Sequence, residues 1–281
     1  MADVFDAPEI VDKIGEVRRL GTIPVPSGFT TTFASYAEAG RPMWTKAELI
    51  NIAKSRNTRG SAKFDSSWIL NQRSKGSCNG HAAASGTAKS RVRRGLKKVL
   101  LSGAYAYSLM NGGRDNGSTL SDGMAVIQER GIATLDTVQW NQIYPRDYDK
   151  AKADAEAARF RADECYVLTT EMELFSALAA DFDVIFAVHV GNSFMHVNSS
   201  GVAGSDRGMG NHSVSGDGYW VERDQLVADG VNSWDVTYGV QGRMGLTWDQ
   251  HFAGTVQYHG FYAIRTAIDD PKDENPPAIK S

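Results

Sequence analysis

The chain has 281 residues, of which 42% are hydrophobic and 22% charged, with a formal net charge of −3. That composition is ordinary for a globular protein with a sizeable core, and the charge gives no general attraction to nucleic acid or anionic membranes. The first residues, MADVFDAPEI, lack the apolar core of a secretory signal. The two cysteines of the chain, Cys78 and Cys165, cannot build a disulfide framework. We therefore expect no signal-peptide secretion, no nucleic-acid partner and no membrane partner.

The first half of the chain has the pattern of helices joined by polar loops. Residues 1–43 mix short apolar runs with Gly, Pro, Thr and Ser, which predicts an extended arm. Thr45 and Glu48 have capping-box spacing, which predicts a short helix. A longer amphipathic helix is predicted from near Cys78, because apolar residues recur every three or four positions at Ala84, Ala88, Val92, Leu96 and Val99. Another helix is expected from about 121 to 130, ended by Gly131.

The second half has the alternation typical of strands. Thr170 and Glu173 form a second capping box ahead of a short helix. Strand-like runs follow, namely FDVIFAVHV, HSVSGDGYWV, QLVADGVNSW and HGFYAIRT. Helices followed by strands indicate an α+β fold with two lobes. The charged, proline-rich end, DDPKDENPPAIKS, is not expected to form regular structure.

The stretch NQRSKGSCNGHAAA places Cys78 between glycines at the start of the longer helix. The positive end of a helix favours a thiolate at that position. Gly76 lets the backbone turn sharply and come close to a substrate. Gln72 supplies an amide that can join the Cys78 backbone N–H in stabilising an oxyanion. These residue types favour a nucleophilic cysteine, provided that a base lies beside it.

The best candidate for that base is His212, at the start of a predicted strand in NHSVSGDGYW. Asn232 and Trp234 follow in VNSW, at the end of another strand. An asparagine oxygen can hold an imidazole in one tautomer, and an indole can shield that hydrogen bond from water. His212 therefore suits the role of the base, with Asn232 to hold its tautomer and Trp234 to shield their hydrogen bond.

Four segments, in chain order, resemble motifs of the papain-like cysteine peptidases. Q-x5-C with GSC resembles the glutamine and nucleophile of that family. LSGAYAYSLMNGG and the helix after it resemble its substrate loop, NHSVSGDGYW its histidine motif, and VNSWDVTYGVQGRMG its asparagine motif. The resemblance covers roughly residues 60–265. It implies an α+β, two-lobed fold in which a helical lobe and a β-barrel-like lobe enclose the active-site cleft.

The resemblance also assigns roles to individual residues. It implies a catalytic set of Cys78, His212, Asn232 and Gln72, a supporting Trp234, and substrate contacts at Gly76, Gly112 and Gly113. We accordingly expect a cysteine peptidase that hydrolyses peptide bonds in peptide or protein substrates, with no cofactor and no metal. The expected division is an N-terminal extension (1–60), a helical lobe with the nucleophile (61–165), a β-rich lobe with His and Asn (166–268) and a flexible tail (269–281).

Two departures from the family pattern refine this expectation. Lys75 stands where secreted members carry a disulfide cysteine, which favours an intracellular bacterial or phage-type branch, and a cytoplasmic or virion-associated location. Asn79 replaces the usual Trp after the nucleophile, which leaves the substrate preference open.

Alternative interpretations stay open at this point. A papain-like fold can be retained as a structural or virion-assembly module with little activity, with residues 1–60 binding an assembly partner. A G-x-C-x-G elbow, as in amidotransferases, needs a buried strand before the cysteine, and residues 71–77 are polar. For residues 1–60 we favour a strap that docks outside the cleft, with an inhibitory propeptide-like segment as the alternative.

Overall fold

The regular elements alternate between helices and strands along residues 8–26 and 32–266, which a computed structural model describes. The helices are α1 (Lys46–Ser55), α2 (Cys78–Arg93), α3 (Gly103–Ser108), α4 (Leu120–Ala125), α5 (Lys150–Ala157), α6 (Glu171–Ala179) and α7 (Val256–His259). The strands are β1 (Glu9–Val11), β2 (Val17–Arg19), β3 (Glu164–Leu168), β4 (Asp183–Val188), β5 (His212–Glu222), β6 (Gln225–Val231), β7 (Arg243–Thr247) and β8 (Phe261–Arg265). The tail expected at 269–281 lies outside the described residues.

Local signals place the starts of several helices correctly. The two predicted capping boxes cap α1 and α6, with reciprocal hydrogen bonds between the threonine and glutamate of each pair. The helix predicted from Cys78 begins there but ends at Arg93, so Leu96 and Val99 lie beyond it. The cause is Gly95, whose φ of 85° turns the backbone out of the helix.

Six of the strands form one antiparallel sheet in the order β3-β8-β4-β5-β6-β7. The sheet is open, so the expectation of a barrel-like lobe is wrong. Both edge strands are instead covered by loops: the backbone of residues 34–36 pairs with Val167 of β3, and residues 201–203 pair with Gly245 of β7. These loops satisfy the outward N–H and C=O groups of Val167 and Gly245, one residue on each edge strand.

Helix α2 packs on the centre of this sheet and brings its first residue to the start of β5. The helix is buried along almost its whole length, and small side chains such as Ala83, Ala84 and Gly86 allow the close approach. Ser215 of β5 donates a hydrogen bond to Ser85 of α2 at 3.1 Å. No helix among the described residues is long and apolar enough to cross a lipid bilayer. The packing of α2 on β5 therefore sets the position of Cys78 relative to the strand that carries His212.

Candidate active site

Cys78 is the first residue of α2, and its side chain is completely buried. Its Sγ lies 3.3 Å from the Thr22 hydroxyl. Burial raises the pKa of the Cys78 thiol, while the Thr22 hydroxyl and the backbone N–H of Ser213 oppose that rise by hydrogen bonding. The thiol is therefore held neutral in this form of the protein, whereas the sequence predicts an activated thiolate.

His212, Asn232 and Trp234 come together as the motifs predict. His212 Nε2 lies 2.9 Å from Asn232 Oδ1, and that oxygen also accepts the backbone N–H of Ser233 at 2.8 Å. The Trp234 indole stacks on the imidazole, with ring centroids 4.6 Å apart and an angle of 30° between the planes. Because Asn232 Oδ1 only accepts, the neutral imidazole carries its proton on Nε2 and presents Nδ1 as a base.

The second imidazole nitrogen is available for proton transfer. His212 Nδ1 is buried and has no hydrogen-bond partner in the part of the chain that the structure describes. Burial lowers the pKa of His212 to about 4, against the opposing effect of the Asn232 hydrogen bond. Cys78 Sγ contacts the backbone of Ser213, the residue that follows His212. Within the described residues, Sγ makes no hydrogen bond to His212 itself. A direct pair of Cys78 and His212 therefore stays a prediction.

Gln72 is fully buried, and both ends of its amide are engaged. Its Oε1 accepts the Ser233 hydroxyl at 2.6 Å, which links it to the residue after Asn232. Its Nε2 donates to the carbonyl of Lys75 at 2.8 Å and to the carbonyl of Arg19 at 3.0 Å. The amide that the sequence assigns to an oxyanion thus binds a peptide carbonyl, one supplied by this chain itself.

Residues 19–25, which we call the cleft segment, lie over Cys78. Thr22 donates its backbone N–H to Asn211, the residue before His212, at 3.1 Å. On the other side Ser118 donates to the Gly21 carbonyl at 2.8 Å and accepts from Ile23 at 3.0 Å. The expectation that the N-terminal extension docks outside the cleft is therefore wrong for this segment. It bridges the loop before α4 and the strand that carries His212.

Gly21 makes the close fit of the cleft segment feasible. A Cβ at Gly21 would stand 1.8 Å from the Gly76 carbonyl oxygen, which no side chain can accommodate. Gly76, which the sequence assigns to substrate contact, therefore contacts the chain's own arm. Only a residue without a side chain lets the two backbones meet at this point.

A short hairpin before the cleft segment is anchored beside the same site. β1 pairs antiparallel with β2, and Arg18 of β2 is completely buried. Its guanidinium pairs with Asp12 at 2.8 Å and donates to Asn71 Oδ1 at 2.9 Å. It also donates to the Trp234 carbonyl at 3.3 Å. The hairpin is thus tied to the segment that carries the asparagine motif.

Gly112 and Gly113 lie in a turn with left-handed backbone, and a Cβ at either would meet no atom within 4 Å. The backbone that pairs with the cleft segment is at Ser118, later in the same loop. A substrate contact at the two glycines remains a prediction. The sequence does not single out Ser118, Thr22 or Arg18, because no motif or spacing distinguishes them from ordinary surface residues.

Comparison with known proteins finds no matching family model and no matching curated protein. Solved structures do match. Xylellain, a cysteine protease from Xylella fastidiosa, is 18% identical and superposes with a TM-score of 0.65 over 88% of this chain and 96% of its own. The proform of the ragweed pollen cysteine protease Amb a 11 is 21% identical, with a TM-score of 0.62 over 86% of this chain and 77% of its own.

A third match is procathepsin B S9 from Trypanosoma congolense, 14% identical, with a TM-score of 0.57 over 88% of this chain and 86% of its own. Likeness at such low identity establishes the fold, which agrees with the resemblance of the four sequence motifs. The chain has the fold of the papain-like cysteine proteases.

Proposed function

We propose that this protein is a cysteine peptidase and that residues 19–25 hold it latent. The observation that carries the proposal is the Gln72 amide, which binds a peptide carbonyl 3.0 Å away in the same cleft as the Cys78 thiol and the His212–Asn232 pair. A site that already binds an extended backbone through both of its walls suits a peptide substrate.

The proposed reaction uses Cys78 as the nucleophile, His212 first as the base and then as the acid, and Gln72 as a donor to the oxyanion. Cys78 Sγ forms a bond to the carbonyl carbon of the substrate while its proton passes to His212 Nδ1. The negative charge on the carbonyl oxygen is stabilised by Gln72 Nε2 and by the Cys78 backbone N–H. The protonated imidazole then gives its proton to the leaving amine as the C–N bond breaks. Water attacks the resulting thioester in the second half-reaction and frees the carboxylic acid and the thiol.

Asn232 and Trp234 act on His212 rather than on the substrate. The Asn232 oxygen accepts the Nε2 proton and so leaves Nδ1 facing the reaction. The stacked Trp234 ring covers that hydrogen bond and keeps water from competing for it. Both are positioning residues for the base.

Latency follows from what the cleft segment occupies. The Arg19 carbonyl uses the Gln72 donor that a substrate oxygen would need, and the Thr22 hydroxyl lies against the sulfur. Two of the matched structures are described as proforms or procathepsins, which is consistent with an inhibited state. Release of residues 19–25 is then the step that activates the enzyme.

The test is a substitution that the covered state cannot accept. In the full chain, Gly21→Ala places a methyl group against the Gly76 carbonyl and should displace the cleft segment. We expect this variant to digest fluorescently labelled casein about tenfold faster than the unmodified chain or more. The clash should destabilise the covered state by more than ~1.4 kcal/mol, which corresponds to a factor of ten in the population of the open state. The matched control is Gly254→Ala, where the nearest atom is 3.9 Å from the new carbon.

Two outcomes decide between the candidate functions. Loss of the casein activity on adding Cys78→Ser to Gly21→Ala supports the peptidase. If Gly21→Ala instead makes Cys78 accessible to iodoacetamide but digests no casein, the peptidase proposal fails. The papain-like fold would then serve as an assembly module.

A further inference from the structure

Asp115 lies in the loop between α3 and α4 and points one carboxylate oxygen into the cleft. Its Oδ1 is fixed by the scaffold, because it accepts the Gly76 backbone N–H at 2.9 Å and the Tyr107 hydroxyl at 3.0 Å. Its Oδ2 faces Arg19 of the cleft segment, and only 12% of the side chain is exposed. Asp115 Oδ1 is thus hydrogen-bonded to the loop that precedes Cys78, and Oδ2 is directed toward the cleft.

Arg19 shows what that second oxygen accepts. Its Nη1 lies 3.4 Å from Asp115 Oδ2 and 3.2 Å from the Asp115 carbonyl. The backbone carbonyl of the same residue is the one that Gln72 Nε2 binds at 3.0 Å. A residue that places its carbonyl at Gln72 can therefore bring a basic side chain to Asp115.

The other acid near Arg19 does not stay in the cleft. Glu9 Oε1 lies 3.6 Å from Arg19 Nε, but Glu9 is on β1 of the same arm and 56% of its side chain is exposed. Release of the cleft segment must therefore also break the contacts of Arg18 with Asn71 and the Trp234 carbonyl, and Arg19 and Glu9 then leave together. Asp115 keeps its two Oδ1 hydrogen bonds and presents Oδ2 without the arginine. A preoriented carboxylate in a partly buried cleft attracts a cation more strongly than an exposed one does.

We infer that Asp115 is a specificity residue, and that it selects substrates with an arginine or lysine on the acyl side of the cleaved bond. The acyl-side residue is the one whose carbonyl lies at Gln72. This inference rests on the proposed function, because it assigns a preference to the same cleft. It adds a substrate class, namely peptides cleaved after a basic residue.

The test compares two peptides that differ at one position, with Arg or Gln on the acyl side of a fluorogenic bond. The enzyme is the full chain carrying Gly21→Ala. We expect kcat/KM for the Arg peptide to exceed that for the Gln peptide by about tenfold, as is typical of one charge-assisted hydrogen bond. Asp115→Asn, which keeps an Oδ1 acceptor for Gly76 and Tyr107, should bring this ratio close to one by lowering kcat/KM for the Arg peptide. Asp224→Asn, in the exposed turn after β5, is the matched control and should leave the ratio unchanged.

A second measurement works without catalysis. In the latent chain, Arg19→Gln and Asp115→Asn should each speed alkylation of Cys78 by loosening the cleft segment. The double variant should be no faster than the faster single one if the two side chains act as a pair.

The outcomes separate the two proposals. If Asp115→Asn leaves the preference for the Arg peptide intact, or if the two substitutions are additive in the alkylation assay, Asp115 has only a structural role and the inference is overturned. If Gly21→Ala cleaves neither peptide nor casein, while the alkylation assay still shows the coupling, the peptidase proposal fails and the pairing of Arg19 with Asp115 stands.

Discussion

The two ends of α2 carry opposite kinds of chemistry. At its first turn lie Cys78 and His81, near His212, and burial lowers the pKa of each histidine to about 4, so all three groups are uncharged. Toward its other end the same helix carries Lys89 and Arg93 into a buried cluster of paired charges. The three groups at the first end, the neutral end, are uncharged, although the buried Arg18–Asp12 pair of the hairpin lies beside them. The other, charged end is held by buried ion pairs of α2 itself.

The charged end ties α2 to the sheet. Lys89 Nζ lies 2.9 Å from Asp217 of β5, and both side chains are completely buried. Arg243 of β7 pairs with the same aspartate at 2.8 Å and with Asp229 of β6 at 3.1 Å. These cations hold the pKa of Asp217 well below its usual range, although burial alone would raise it.

The two ends of α2 are therefore held by different kinds of interaction. Ion pairs that are buried on all sides are costly to break, since each partner left behind is an unpaired charge. Neutral hydrogen bonds such as those of Thr22 and Cys78 can be exchanged for water or substrate at little cost. The charged end is thus fixed to the sheet, whereas the covering of the neutral end depends on hydrogen bonds that are easier to exchange.

The largest effect is expected at the charged end. Asp217→Asn removes the shared anion and leaves Lys89 and Arg243 buried with too little negative charge, which should lower the free energy of unfolding by about 3–5 kcal/mol. Urea denaturation followed by tryptophan fluorescence measures this loss. Asp224→Asn, on the exposed turn after β5, should change it by less than about 0.5 kcal/mol. A loss of similar size in both variants would contradict a special role for the buried cluster.

The next effect concerns pH at the neutral end. His81 has a folded pKa of about 4, below the usual 6.5, because burial disfavours the imidazolium despite its hydrogen bond with the Ser77 carbonyl. The unfolded chain therefore binds more protons, so the stabilisation is complete above pH 6.5 and is lost as the pH falls toward 4. Relative to His81→Phe, the unmodified chain should lose up to about 3 kcal/mol across that window. A difference between the two proteins that stays constant from pH 7 to pH 4 would mean that His81 is not held neutral by the fold.

The smallest effect is a change in cysteine reactivity. Burial raises the pKa of both thiols, that of Cys165 to about 12, so iodoacetamide should label either slowly in the unmodified chain. Gly21→Ala should speed labelling of Cys78 about tenfold by uncovering it, and leave Cys165 unchanged. Adding His212→Ala should remove part of this gain if the imidazole takes the thiol proton. Peptide mass spectrometry reads both sites in one digest, and equal acceleration of the two cysteines would indicate general loosening instead.

The sequence identifies the local elements of the site because each depends on short-range physics. The capping boxes at Thr45 and Thr170 join residues only three positions apart, and the start of α2 at Cys78 was likewise placed from local sequence. The strand that carries His212 and the one that ends before Asn232 alternate as strands do. The sequence also brings His212, Asn232 and Trp234 into one hypothesis through their motif, and the structure places these three side chains together.

Other features depend on contacts between residues far apart in the chain, which no local pattern encodes. Loops at 34–36 and 201–203 pair with the two edge strands of the open sheet, at Val167 and Gly245. The Cys78 thiol is neutral because Thr22 and Gly21 cover it, and the same segment places Arg19 at Asp115. The sequence determined which residue types the proposed reaction would use and their order along the chain. Tertiary structure decided their protonation and access, since the electrostatic cost of a charge depends on what buries it.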